Sequence, residues 1–194
     1  MLKSAKKVKK NNSVLAIDPA SHSLAWAIID LDTFDLVAIG KIKLTKTQDI
    51  SIKFFQIVTG INSICNIYKP AVAVIEQSVF IQNFQSSRII SYIIGYTWGI
   101  LGNHCSKVMD INPIIWKRGI GYKNLSNKDK ENIKNDISKG SFELKKKKER
   151  KKRVRDIVAT KFDISKIDDD DIVDAIGIGM WYYSLGKSDE TNAV

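Results

Sequence analysis

Cysteine, histidine and proline are scarce in this chain of 194 residues, which has two, two and three of them. Cys65 and Cys105 do not form a CxxC pair. With only His22 and His104 beside them, they cannot assemble a zinc site on the usual spacing. Two thiols without a disulfide framework point to a reducing, intracellular compartment: cytoplasm or nucleoid, including that of a host cell carrying a phage or virus. Long apolar runs are also missing. The stretch Ile89–Leu101 is too short to span a bilayer and reads as a core helix, so no membrane partner is expected. The lysine-rich start has the charge of a signal-peptide n-region. The following NNSVLAIDPASHS lacks an apolar h-region, so secretion is not expected.

Hydrophobic residues make up 44% of the chain and aromatics 9%, enough for a packed core. The length favours one domain. The net charge of +10 is concentrated in two places. The first ten residues hold five lysines and no acid, and KKKKERKKRVR at 145–155 holds nine basic residues against one glutamate, so the remainder is mildly acidic. Clustered Lys and Arg gain from counterion release on a phosphate polymer, which favours a nucleic-acid partner. A solvated tail or a targeting signal is the plainer alternative.

The apolar runs Val14–Pro19, Leu24–Ile29 and Leu36–Leu44, joined by short turns, predict an antiparallel meander. Phe54, Ile57, Val58, Ile61, Ile64, Cys65 and Tyr68 recur at helical spacing up to Pro70. AVAVI at 71–75 reads as a strand buried on both faces, Ser86–Gly102 as a helix, and Lys107–Ile111 as a last strand. Residues 119–145 read as loop and short helix, Lys145–Phe162 and Ile172–Leu185 as helices. The expected fold class is α/β: one mixed five-stranded sheet, three antiparallel strands then parallel ones, flanked by helices. The expected organisation is a basic tail at 1–12, one domain at 13–186 with a basic insertion at about 119–155, and a flexible end at 187–194.

Four acids stand out. Asp18 ends the first strand (VLAIDP) and Glu76 ends the AVAVI strand (VIEQ). An acid closing a buried strand must meet a polar edge or a metal, and adjacent strands ending alike present both at one sheet edge. Asp171 and Asp174 lie in DDDDIVDAIGIGM, three apart and therefore on one helix face. Helix capping accounts for one or two aspartates there. It does not account for Asp174 inside an apolar stretch, whereas clustered acids suit a hard cation. Asp168, Asp169 and Asp170 read as capping and approach residues. Ala175, Gly177 and Gly179 form a small face that lets the helix lie close on the sheet. The GIG at 119–121 has no phosphate-loop context.

IDPAS near the start, VIEQSVFIQN in the middle and DIVDAIGIG near the end together resemble the RuvC family of Holliday-junction resolvases, in the ribonuclease-H-like superfamily. The resemblance covers most of residues 14–185. Ala20 replaces a usual glycine and the 140–155 region is expanded, and the run before the last acids is more similar to the phage and poxviral branch. The resemblance implies that Asp18, Glu76, Asp171 and Asp174 are the catalytic acids and that Gln77 follows the glutamate as in the family. The junction-probing phenylalanine falls near Val79, with Phe80 one place on. It also implies two Mg²⁺ ions per site, replaceable by Mn²⁺, and hydrolysis of branched DNA leaving 5′-phosphate and 3′-hydroxyl ends.

On this reading Asp18 bridges both ions. Lys117, Arg118 and the run Lys145, Lys146, Lys147, Lys148, Arg150, Lys151 and Lys152 hold phosphates. Phe80 and Phe84 stack on opened bases, while Trp116 belongs to the core. Paired cutting calls for a homodimer, with the 80–100 helix (Phe84, Ile89, Ile90, Ile93, Ile94) as both core and interface. Alternatives are an RNase-H-type or flap nuclease of the same fold, or a non-catalytic nucleic-acid-binding module.

Overall fold

Alternating burial along the first strand explains the architecture. In the computed structural model, strand β1 (Ser13–Ala20) sends Val14 and Ala16 to one face and Leu15 and Ile17 to the other, all fully buried. Only a strand covered on both sides reads this way. The structure describes residues 12–46, 49–78, 84–136 and 140–191, without the side chains of 84–86 and 187–191. The basic N-terminal segment, Val79 and Phe80 lie outside them.

Strands β2 (Ser23–Asp30) and β3 (Leu36–Lys43) follow β1 as an antiparallel meander. Helix α1 (Ile50–Tyr68), strand β4 (Val72–Glu76), helix α2 (Phe84–Leu101) and strand β5 (Lys107–Ile111) complete the sheet. Its order is β3-β2-β1-β4-β5, with β4 parallel to both β1 and β5. The predicted mixed five-stranded sheet is therefore present. Helices α3 (Pro113–Gly119), α4 (Asn127–Asn135), α5 (Phe142–Ala159) and α6 (Asp170–Thr191) follow.

Two apolar layers cover the two faces. Leu15, Ile17, Ala73 and Ile75 pack with Ile57, Ile61 and Ile64 of α1 and Ile93 of α2. Val14, Ala16, Val72 and Val74 pack with Val173, Ile176 and Ile178 of α6, Trp116 of α3, and Val154 and Val158 of α5. Helix α1 is long and apolar enough to cross a bilayer, but here its apolar stripe lies on the sheet.

Three sequence expectations change. The 119–145 region holds loop and one short helix, α4, as expected, and that helix is closed by a capping box in which Ser126 and Asp129 satisfy each other's backbone N–H groups. Helix α5 begins at Phe142, three residues earlier than Lys145, because Ser141 accepts a hydrogen bond from the Leu144 N–H. Helix α6 runs on to Thr191 rather than ending at Leu185; no proline interrupts it, and one glycine, Gly186, costs only about 1 kcal/mol. The small face of α6 serves two neighbours. A Cβ at Gly179 would stand 2.7 Å from Ile29 Cδ1 on the sheet, but one at Gly177 would stand 2.6 Å from the Trp116 ring on α3. The GIG at 119–121 ends α3, with Gly121 at φ +88°.

Candidate active site

Ile17 and Ile75 are register partners on the parallel strands β1 and β4, so Asp18 and Glu76 come next at the same level of the sheet edge. Side chains two apart share a face of a strand. Asp18 follows Val14 and Ala16, and Glu76 follows Val72 and Val74; both acids therefore project to the α6 side. Helix α6 packs over β1 and β2 on that side and brings in Asp171 and Asp174. The α6 N-terminus is capped by Asp169, whose Oδ1 accepts from the N–H groups of Asp171 (3.0 Å) and Ile172 (3.4 Å). Capping thus falls to Asp169, and the Asp171 carboxylate is left for other partners.

Electrostatics link the four acids. Asp18 is held well above the usual carboxylate range, first by burial and then by the charges of Glu76, Asp174 and Asp171, with Lys117 opposing. Burial also raises Glu76, against the pull of the Lys117 ammonium and a hydrogen bond from Trp116. Asp174 is raised by burial, with Lys117 and Lys151 opposing.

Three lysines answer this negative charge. Lys117 Nζ lies 3.7 Å from Asp174 Oδ2. Lys151 lies 3.6 Å from Asp171 and 3.4 Å from Asp170. Lys41 reaches from β3 to Asp171 at 2.8 Å and Asp169 at 2.7 Å. Burial pushes Asp169 up, but the Lys41 hydrogen bond and charge, together with the Asp171 and Ile172 N–H groups, outweigh it and hold Asp169 below its ordinary value. Among the described residues no three acid, histidine or cysteine side chains stand close enough to grip one ion as they are; ammonium groups supply the positive charge instead. A half-buried, oxygen-only cluster whose members repel one another is the donor set of a hard divalent cation.

Two contributors were not expected from sequence. Trp116 is fully buried, as expected of a core residue, yet its indole N–H also donates to Glu76 Oε2 at 2.6 Å. Lys41 had no motif to mark it. Its one signal was a lysine in the alternating third strand, Ile39-Gly40-Lys41-Ile42.

The other expected residues divide into four groups. Gln77 follows Glu76 off the sheet edge and donates to Asp110 Oδ2 at 3.0 Å. Along α5, Lys147, Lys148, Arg150 and Lys152 stand exposed, as does Arg118 on α3. Lys145 and Lys146 pair with Asp136 and Glu143, and Lys151 turns to the acids. Arg155 also turns inward, to the Ile167 carbonyl and Asp170. Phe80 and the Phe84 side chain lie outside the described residues.

The acids at the ends of two parallel strands, faced by an acid-bearing helix across a mixed sheet, define a ribonuclease-H-like nuclease scaffold. The family model for crossover junction endodeoxyribonuclease RuvC matches residues 14–117, and the chain belongs to that family. The RuvC of Rickettsia felis is 30% identical over 112 residues, 56% of this chain and 72% of the relative. That of Rickettsia bellii is 29% identical over the same length. In fold, the chain is similar to Thermus thermophilus RuvC in complex with a Holliday junction substrate, with TM-score 0.62, 15% identity, and coverage of 90% of this chain and 96% of that one. The yeast mitochondrial Holliday junction resolvase has TM-score 0.51 and 12% identity, over 96% of this chain and 85% of that one. Asp18, Glu76 and Lys117 fall within the family-model match, whereas Asp171 and Asp174 follow it.

Proposed function

We propose that this chain is a metal-dependent, structure-selective endonuclease that resolves Holliday junctions and related branched DNA by paired phosphodiester hydrolysis. The observation that carries it is the convergence of Glu76, Asp171 and Asp174 on Asp18, at a sheet edge bordered by Lys41, Lys117 and Lys151. Asp18, Glu76, Asp171 and Asp174 are the residues that would hold Mg²⁺ or Mn²⁺, two ions per site. Held there, the ions would supply Lewis-acid stabilisation of phosphoryl charge and would lower the pKa of a water so that it can attack as hydroxide.

The protein's own groups do the rest. Trp116 fixes one Glu76 oxygen through its indole N–H. Asp169 caps the helix so that Asp171 keeps its carboxylate turned toward the site. Lys117 and Lys151 border the acids and are placed to meet the phosphate of a strand laid across them. Exposed Arg118, Lys147, Lys148, Arg150 and Lys152 extend that phosphate track along α5, holding the backbone without reading its sequence.

Symmetric cutting requires a second copy, and the exposed face of α1 and α2 is the surface suited to it. Ile93 is fully buried in the chain's own core, so it leaves the expected interface set. Tyr92 (51% exposed) and Trp98 (36%) share α2 with Gly95 and Gly99, where added Cβ atoms would meet nothing, and Phe55 (72%) is exposed on α1. That stripe lets a second helix approach closely.

The test is a cleavage panel of four-way, three-way, flap, linear and RNA–DNA hybrid substrates in Mg²⁺ and in Mn²⁺. Preference for the four-way junction supports the proposal. Preference for hybrid RNA or flaps supports a related nuclease instead, and binding without cutting in either metal supports a non-catalytic module.

A further inference from the structure

Strand β3 carries a cation to the acids, and the sheet register explains how. Asp18 on β1 pairs with Ala25 on β2, and Ala25 pairs with Lys41 on β3. Residues directly opposite one another project to the same face of a sheet. One row therefore runs from Asp18 through Ala25 to Lys41, with the lysine two strands, about 10 Å, from Asp18. Ala25 is small and fully buried, so it leaves space between its charged neighbours for α6, which packs over all three strands.

The Lys41 ammonium divides the two oxygens of Asp171. Oδ2 accepts from Lys41 Nζ at 2.8 Å, whereas Oδ1 has Lys151 at 3.6 Å, too far for a hydrogen bond. Resting on the metal-dependent nuclease reading above, we propose that Lys41 determines which ion the acids take: by occupying Oδ2 it leaves Asp171 a single oxygen to offer, and so favours Mg²⁺ over Ca²⁺. Mg²⁺ demands near-octahedral geometry and keeps several waters, so it draws few carboxylate oxygens. Ca²⁺ takes more oxygens in a looser shell and often grips both of one carboxylate.

A second acid braces the lysine. Asp169 Oδ2 accepts from the same ammonium at 2.7 Å, while Asp169 Oδ1 caps α6 through the Asp171 and Ile172 N–H groups. One Asp169 oxygen is thus committed to the helix and the other to Lys41, whose side chain is only 19% exposed. Lys41 acts on the ion through Asp171 and is a positioning residue. Removing the hydrogen-bond partner of a metal-holding side chain changes metal affinity by about 10- to 100-fold, so one such contact is enough to set a preference.

The test reads binding, not cleavage. Melting midpoints of metal-free wild type, Lys41→Met and Lys41→Arg are followed in rising Mg²⁺ and in rising Ca²⁺ at constant ionic strength, and each series gives a dissociation constant. The proposal expects the ratio of Ca²⁺ to Mg²⁺ affinity to rise about tenfold in Lys41→Met and to stay within about twofold of wild type in Lys41→Arg, which keeps the charge and the donors. Loss of a positive charge would by itself strengthen both ions alike, and damage to the fold would weaken both alike. An unchanged ratio in Lys41→Met therefore overturns the proposal, and so does an equal shift in Lys41→Arg. A second measurement needs no variant. In isotope-labelled wild-type protein the Lys41 ammonium resonance, assigned through its own backbone, should stay protected from solvent exchange when Mg²⁺ is added. Loss of that protection means that the ion displaces the lysine, and overturns the proposal. If neither ion moves the wild-type midpoint, the metal reading of the acids fails and the proposal with it, an outcome distinct from a ratio that does not change.

Discussion

Neutralising Asp18 should make the metal-free protein more stable while abolishing its chemistry. Its carboxylate is half-buried and repelled by three other acids, with Lys117 as the opposing cation. Asn has the same shape without the charge. Removing an incompletely compensated buried charge at constant volume is worth about 1–3 kcal/mol. In a domain of this size that is about 4–8 °C in melting temperature for the middle of the range. The sign with pH follows from the raised value of Asp18 in the folded state. Above an unfolded carboxyl pKa of about 4, the folded protein holds the proton more tightly than the unfolded chain. The wild type therefore loses stability as pH rises through the folded value. The gap between Asp18→Asn and wild type should widen as the pH rises above the ordinary carboxyl range and close as the pH falls toward it. Differential scanning calorimetry in EDTA reads it directly, and adding Mg²⁺ should raise the wild-type midpoint but not that of the variant. A variant that melts at or below wild type in EDTA at pH 7.5 would refute the reasoning, because Asp18 would then be contributing to the fold.

Trp116→Phe removes the indole donor to Glu76, and hydrogen bonds to charged groups are worth about 1.5–3 kcal/mol. The variant should lose about that much stability in urea melts and need several-fold more Mg²⁺ for half-maximal cleavage. Gly177→Ala places a methyl 2.6 Å from the Trp116 ring, and overpacking of this kind costs about 1–3 kcal/mol; thermal melts followed by circular dichroism should show it. Replacing exposed Lys147 and Lys148 together by alanine should lower the slope of log affinity against log salt by about 2, near 0.9 per phosphate contact. Fluorescence anisotropy on a labelled junction checks this, and an unchanged slope would remove α5 from the DNA track.

Asp18, Glu76 and Asp174 were legible in the sequence because each breaks a local pattern, whereas capping competed for Asp171. Asp18 and Glu76 close apolar strands, and Asp174 interrupts an apolar helix face. Burying a charge there conflicts with packing, and that conflict is the signal that marks these positions. The partners of these acids were not legible, because they are made by tertiary approach. Lys41 meets Asp171 across 130 residues and Trp116 meets Glu76 across 40, and neither pairing leaves a periodicity behind. The basic run shows the same limit. Sequence read Lys145–Arg155 as one phosphate-facing block, but a helix distributes successive residues around its axis. Lys151, Arg153 and Arg155 turn toward the protein while Lys147, Lys148, Arg150 and Lys152 face outward. The bounds of the short helix expected in 119–145, α4, left no periodicity to read, because the helix rests on the Ser126–Asp129 capping box and the Arg153–Asp129 pair rather than on an apolar stripe.

The most direct measurement of the central claim is incision of a supercoiled plasmid that extrudes a cruciform, in Mg²⁺, by wild type and Asp174→Asn. Paired symmetric cuts release linear plasmid, whereas unpaired cutting leaves nicked circles. Wild type should yield linear product with 5′-phosphate ends at the cruciform base, and Asp174→Asn should bind the cruciform without cutting it. Nicked circles alone from wild type, or linear product from Asp174→Asn, would contradict the account.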